Sequence, residues 1–89
     1  LVEFIGTFVF LSVIVRTGEA IPIAIALACM IFFGGKISGG HYNPAVSFAM
    51  AMSGKLAQSD LVPYVASQLA GGMAAITFSK MKKMGYLYN

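Results

Sequence analysis

Few side chains in this 89-residue chain can do chemistry, and their spacing limits what that chemistry is. Glu3 lies inside the apolar run Leu1 to Val15, and an ionisable group in such a run is a functional-site hypothesis by itself. Read alone, Glu3 is either a carboxylate that titrates during transport or a group lying at a membrane interface. His41 is the one histidine, and no second His, Cys pair or carboxylate at metal-ligand spacing accompanies it, so no metal site is expected. A packed, hydrogen-bonded imidazole is the plain reading of His41, and a pH gate is the alternative because imidazole titrates near physiological pH. The single Cys29 cannot form an internal disulfide and reads as a small buried hydrophobe. Lys36 is followed by Ile rather than Ser or Thr, so the glycine-rich stretch after it is not a phosphate cradle. Nor is there a Ser-His-Asp or Cys-His arrangement. What remains is the side-chain amide of Asn43, a neutral group that can both donate and accept hydrogen bonds. None of these groups has the partners that catalysis or a cofactor would need, so neither an enzyme nor a cofactor is expected.

The elements that must position these groups are apolar. Hydrophobic residues make up 58% of the chain and charged residues 10%, against about 25% in ordinary soluble domains. A surface for water cannot be made from so few charges, and lipid is the expected surrounding. The net charge of +3 is weighted to Lys80, Lys82 and Lys83, a juxtamembrane cluster rather than a nucleic-acid surface. Residues 1–89 read as a single all-α transmembrane domain with spans at 1–16, 20–37 and 60–80. The first run is already under way at Leu1, and a fragment of a longer chain is the expectation. Small residues, among them Ala24, Ala28, Gly34, Ala70, Gly71 and Ala74, permit close helix approach in lipid.

Between the second and third spans lies SGGHYNPAVSFAM, residues 38–50. Gly39 and Gly40 make irregular backbone accessible, Asn43 stands where a helix N-cap would, and Pro44 stands at the first helical position. A helix over 43–53 would reach only about 16 Å, half of a hydrocarbon core of about 30 Å. It must therefore turn back, and Gly54, Lys55, Gln58, Ser59 and Asp60 supply a polar turn. The loop 38–42 and half-helix 43–53 thus read as re-entrant, a form tolerated where protein buries the backbone or where it lines a water-filled cavity. A helix lying on the membrane surface is the plainer alternative.

The string SGGHYNPAV followed by an apolar half-helix resembles the first signature loop of the major intrinsic proteins, the aquaporins and aquaglyceroporins. Glu3, Phe4, Gly6 and Thr7 resemble the family's first helix, Gly35 and Ile37 to Ser38 its approach to the loop, and Tyr64, Gln68 and Gly71 its third helix. The resemblance covers essentially the whole chain but only the N-terminal half of a six-span, inverted-repeat architecture. It implies a passive channel for water, and for small neutral solutes such as glycerol, completed by a second repeat or by another copy of the chain. It implies also a homotetramer when complete, and residence as a multi-pass protein of the plasma membrane. By the same resemblance Asn43, Pro44 and Ala45 belong to the pore, and the carbonyls of Gly39, Gly40 and His41 form a ladder of acceptors leading to Asn43. Glu3 and Gln68 brace the loop, Ile23 stands at the selectivity constriction, and Leu27 lies on the pore wall. Ile23 departs from the Phe, Trp or His usual there in the family. The half-helix N-terminus, with about half a positive charge, and the Asn43 amide would exclude protons and other cations.

Two other classes compete. One is a small proton-coupled secondary transporter, three spans assembling as an inverted dimer that uses Glu3; the other is an oligomerising membrane protein without a pore. Asn43 and Pro44 after a glycine loop favour the channel. Family analogy makes the Lys36 to Asp60 side cytoplasmic, whereas counting Lys and Arg by the positive-inside rule favours the opposite side.

Overall fold

A computed structural model describes residues 1–83 of the chain. The described residues form four helices and no strand: α1 Val2–Thr17, α2 Ala20–Ser38, α3 Pro44–Met52 and α4 Gln58–Lys83. Residues 84–89 of the expected domain lie outside the described residues. By length and composition α2 and α4 are long and apolar enough to cross a membrane. At 16 residues, α1 extends about 24 Å.

Sequence chemistry sets the helix ends. Gly18 closes α1 in the left-handed conformation at φ 61°, its N–H donating to Ile14 O, and Gly39 closes α2 at φ 93°, donating to Gly35 O. Glycine meets no Cβ clash in either place. Asp60 in the first turn of α4 and Lys80, Lys82 and Lys83 in its last turn complement the helix dipole.

α1 packs between α2 and α4, whose backbones stay apart, and α3 packs on α4. α1 and α4 run in parallel. Glu3 is paired with Gln68, and Phe8 and Arg16, further along, both reach the Phe78 ring. Gly71 sets the closeness of this crossing, because a Cβ there would strike the Phe4 carbonyl oxygen and crowd Phe8 N. α3 runs back along α4 in the opposite sense. Ser47 bonds Gln68, while Asn43 and Pro44 share a groove with Leu69, Gly72 and Met73. The start of α3 thus lies beside the middle of the 26-residue α4, and its end returns toward Gln58.

The interior is polar and the outside apolar. Glu3, Thr7, Ser47 and Gln68 are buried together with Tyr42, Ala51 and Ala75, whereas Ile21, Ile25, Phe32, Phe33, Ile37, Val62 and Met73 face outward. That inverts the partition of a water-soluble core and is the arrangement a hydrocarbon surrounding favours. Cys29 corrects one expectation: it is exposed on α2 rather than buried. The physical reason is that in lipid a small apolar side chain gains nothing by leaving the outer face, so its hydrophobicity does not report depth in the protein.

Candidate functional site

The site is assembled around Glu3, in the first turn of α1 and 4% exposed. Its Oε2 accepts from Ser38 Oγ at 2.6 Å and from His41 N at 3.2 Å. Its Oε1 accepts from Tyr42 N at 2.8 Å and from Gln68 Nε2 at 2.8 Å. Four donors from α2, the loop and α4 therefore converge on one carboxylate. The loop needs them because its backbone turns away from helical pairing: φ is 93° at Gly39, 66° at Gly40 and 53° at Tyr42. A tyrosine in the left-handed region persists only where its surroundings over-determine it. Here its N–H is held by Glu3 and its hydroxyl donates to Met30 O at 2.7 Å. Its ring fills the space that side chains at Gly6 and Gly34 would otherwise occupy. The pair of glycines on facing helices is the socket, and Tyr42 is what fills it.

A second chain of bonds ties α3 to the same centre. Gln68 Nε2 donates to Ser47 Oγ at 2.7 Å, and Ser47 Oγ lies 2.8 Å from His41 Nδ1. Ser47 Oγ accepts from Gln68 and shares a second hydrogen bond with His41 Nδ1, so one hydroxyl links the loop to α4. The His41 ring also sits 5.2 Å from the Tyr64 ring, and the Tyr64 hydroxyl donates to Ser38 O at 2.6 Å. His41 is thus a hydrogen-bonded, packed residue, and among the described residues no group of His, Cys, Asp and Glu is placed to hold a metal ion.

Asn43 caps α3. Its backbone is extended, at φ −160° and ψ 125°, and its Oδ1 accepts from Ala45 N at 2.8 Å. The cap uses the oxygen, so Nδ2 remains a donor. Asn43, Pro44 and Ala45 lie exposed, and Asn43 and Pro44 line a groove of about 700 Å³ on the open side of the bundle. Apart from Thr7 and Gln68, the walls that α1 and α4 give this groove are apolar, among them Phe10, Leu11, Ile14, Leu69 and Met73. Thr7 Oγ1 and Gln68 Oε1 are buried here without a hydrogen-bond partner. Among the described residues no hydrogen bond reaches the carbonyls of Gly39, Gly40 or His41. Ile23 and Leu27 lie half-buried on one face of α2, and neither lines the groove at Asn43. Ser47 and Tyr42 are the site residues that sequence reasoning missed. Ser47 carried a weak signal, one turn after Asn43; Tyr42 carried none, because Gly6 and Gly34 lie far from it in sequence.

Comparison with known proteins agrees with this geometry. A family model described as Major intrinsic protein matches residues 1–88. Aquaporin Z of Brucella melitensis is 41% identical over 58 residues, 65% of this chain and 25% of that protein. Glycerol uptake facilitator protein-like 6 of Lactiplantibacillus plantarum is 39% identical over 85 residues, 84% of this chain and 39% of that protein. Aquaporin-8 of Rattus norvegicus is 40% identical over 91 aligned residues, covering 90% of this chain and 35% of that protein. The chain therefore spans at most about two fifths of the length of these relatives. No solved structure matches it significantly. A match that runs through residues 1–88, over a buried carboxylate braced against an Asn-Pro-Ala helix start, places this chain in the major intrinsic protein family.

Proposed function

We propose that the chain is the first half of a passive channel for water and small neutral solutes. In this reading α1, α2 and α4 cross the bilayer while α3 is re-entrant and reaches only its midplane. The observation that carries it is the position of Asn43. It caps a nine-residue helix whose start lies beside the middle of α4, with its amide Nδ2 on the open side. The positive end of that helix and the Asn43 amide act on whatever passes: a neutral solute exchanges hydrogen bonds there, while protons and cations meet a positive potential. The free carbonyls of Gly39, Gly40 and His41 serve as acceptors on the approach, and Pro44 removes a competing donor at the helix start. Ile23 and Leu27 would narrow the passage from the α2 side.

The groove at Asn43 is open, so a wall must come from elsewhere, from a second repeat or another copy of the chain, with a homotetramer in the plasma membrane as the complete form. Relatives named for water and for glycerol bracket the solute class. The proton-coupled alternative is disfavoured by Glu3 itself. Both its oxygens are already engaged as acceptors, so taking up a proton would break at least one of four bonds.

Stopped-flow shrinkage of proteoliposomes tests the proposal. Osmotic water flow that is lost in Asn43→Asp, with no proton current in the parent protein, is the expected result. Flux that requires a pH gradient and Glu3 would establish the transporter instead. A folded chain that moves nothing alone, but conducts as part of the longer protein, would assign the activity to the completed pore.

A further inference from the structure

Away from Asn43, α1 and α4 form a second groove whose residues belong to none of the site above. It has a volume of about 270 Å³ and is lined by Phe8, Val9, Ser12, Val13, Arg16 and Phe78. Its floor is apolar, with Phe8 and Phe78 meeting edge to face at 5.9 Å. Its rim is charged. The Arg16 guanidinium carbon stands 5.5 Å above the centre of the Phe78 ring, a cation–π contact that holds the group over the groove. Because α1 and α4 run in parallel, Lys80, Lys82 and Lys83 end at the same side of the bundle. Four basic residues gather there, against Glu19 as the acidic one. Ser12 lies one turn below Arg16, about 6 Å deeper along the axis, with its hydroxyl oxygen buried in the groove wall.

We infer that this groove binds an anionic glycerophospholipid, its phosphate on Arg16 and its acyl chain along Phe8, Val13 and Phe78. The order of groups matches such a lipid read from the interface inward. A cation at the rim meets the phosphate, and an apolar channel beneath it meets the hydrocarbon. Lys80, Lys82 and Lys83 raise the local concentration of anionic headgroups without defining the site. Charge complementarity selects an anionic lipid over a zwitterionic one, and the groove distinguishes a seated lipid from a general surface attraction. The inference rests on the chain lying in a bilayer but not on permeation, so its test needs no flux.

The test is native mass spectrometry of the chain in detergent, titrated with phosphatidylglycerol or phosphatidylcholine of identical acyl chains. Phosphatidylglycerol is expected to bind about fivefold more tightly, the effect of one basic residue near an anionic surface. Arg16→Gln should abolish that preference, and Lys55→Gln, at the opposite end of the bundle, should keep it. Val13→Phe fills the groove with every charge in place and should weaken both lipids; helicity by circular dichroism confirms the fold of each variant. The inference fails if Arg16→Gln keeps the preference or if Lys55→Gln loses as much. It fails equally if Val13→Phe binds as the parent does, or if inorganic phosphate displaces the lipid, which would make this a free-anion site.

Discussion

Gln68 Nε2 lies 2.8 Å from Glu3 Oε1, joining residues 65 apart in sequence at the centre of the bundle. The same nitrogen donates to Ser47, so one amide of α4 ties that helix to both α1 and α3. The irregular loop inherits its shape from this junction. Glu3 supplies acceptors to two successive loop N–H groups, His41 and Tyr42, that no helix could satisfy.

Glu3→Gln tests whether charge or shape holds the loop. A glutamine keeps the volume but presents one acceptor oxygen and an NH₂, which faces donors on one side. Two of the four bonds are then lost or reversed, at about 1.5–3 kcal/mol for each bond to a charged group. Unfolding in detergent should show a loss of about 3 kcal/mol or more, a sum that rests on those per-bond values. Stability equal to the parent would mean the loop is held by packing alone.

The Tyr42 socket gives a coupling prediction. A Cβ at Gly6 would overlap the Tyr42 ring, so Gly6→Ala should destabilise by about 1–3 kcal/mol, as overpacking does. Tyr42→Gly removes the ring and also suits the φ of 53°. In that background Gly6→Ala should cost almost nothing, and a double-mutant cycle measures the difference. Additive losses would show that the two residues do not share the space.

How much of this was legible beforehand follows from what kind of information each feature carries. The Asn43 cap, Pro44 at the first helical position and the short helix after them were readable because capping chemistry is local. Loop hydrogen bonds to Glu3 were expected through the family resemblance, though not Ser38 and Gln68 sharing the same carboxylate from distant segments. The Tyr42 socket was not readable, since nothing local ties Gly6 and Gly34 to a ring in the loop. Cys29 was misread because hydrophobicity stops reporting burial once lipid replaces water.

Ser47 is fully buried and links His41 to Gln68. Ser47→Ala leaves the Nδ1 of His41 without a partner and one Gln68 donation unmade, while the helix itself gains a better former. The net loss should be about 1–3 kcal/mol, the cost of a buried group left unsatisfied. It should be local: amide exchange in α3 should quicken more than in α2, which the bridge does not touch. Equal acceleration in both helices would point to global unfolding rather than a broken link.

Asn43 separates structure from function, because its two side-chain atoms do different work. Oδ1 caps Ala45 N, while Nδ2 is the donor proposed to meet the solute. Asn43→Ala removes both and should cost about 1 kcal/mol of stability, the usual loss of an N-cap. Asn43→Asp keeps an oxygen in the capping place, and its charge suits a helix N-terminus, so stability should hold within about 0.5 kcal/mol. Yet the donor is gone and a negative charge stands where the helix end was positive. Water flow should therefore fall in Asp as well as in Ala, although only Ala loses the cap. Parallel unfolding and stopped-flow measurements on the two variants distinguish the roles. If flow tracks stability across both, Asn43 acts by holding the helix start; if Asp is stable and closed, the amide N–H acts on the solute directly.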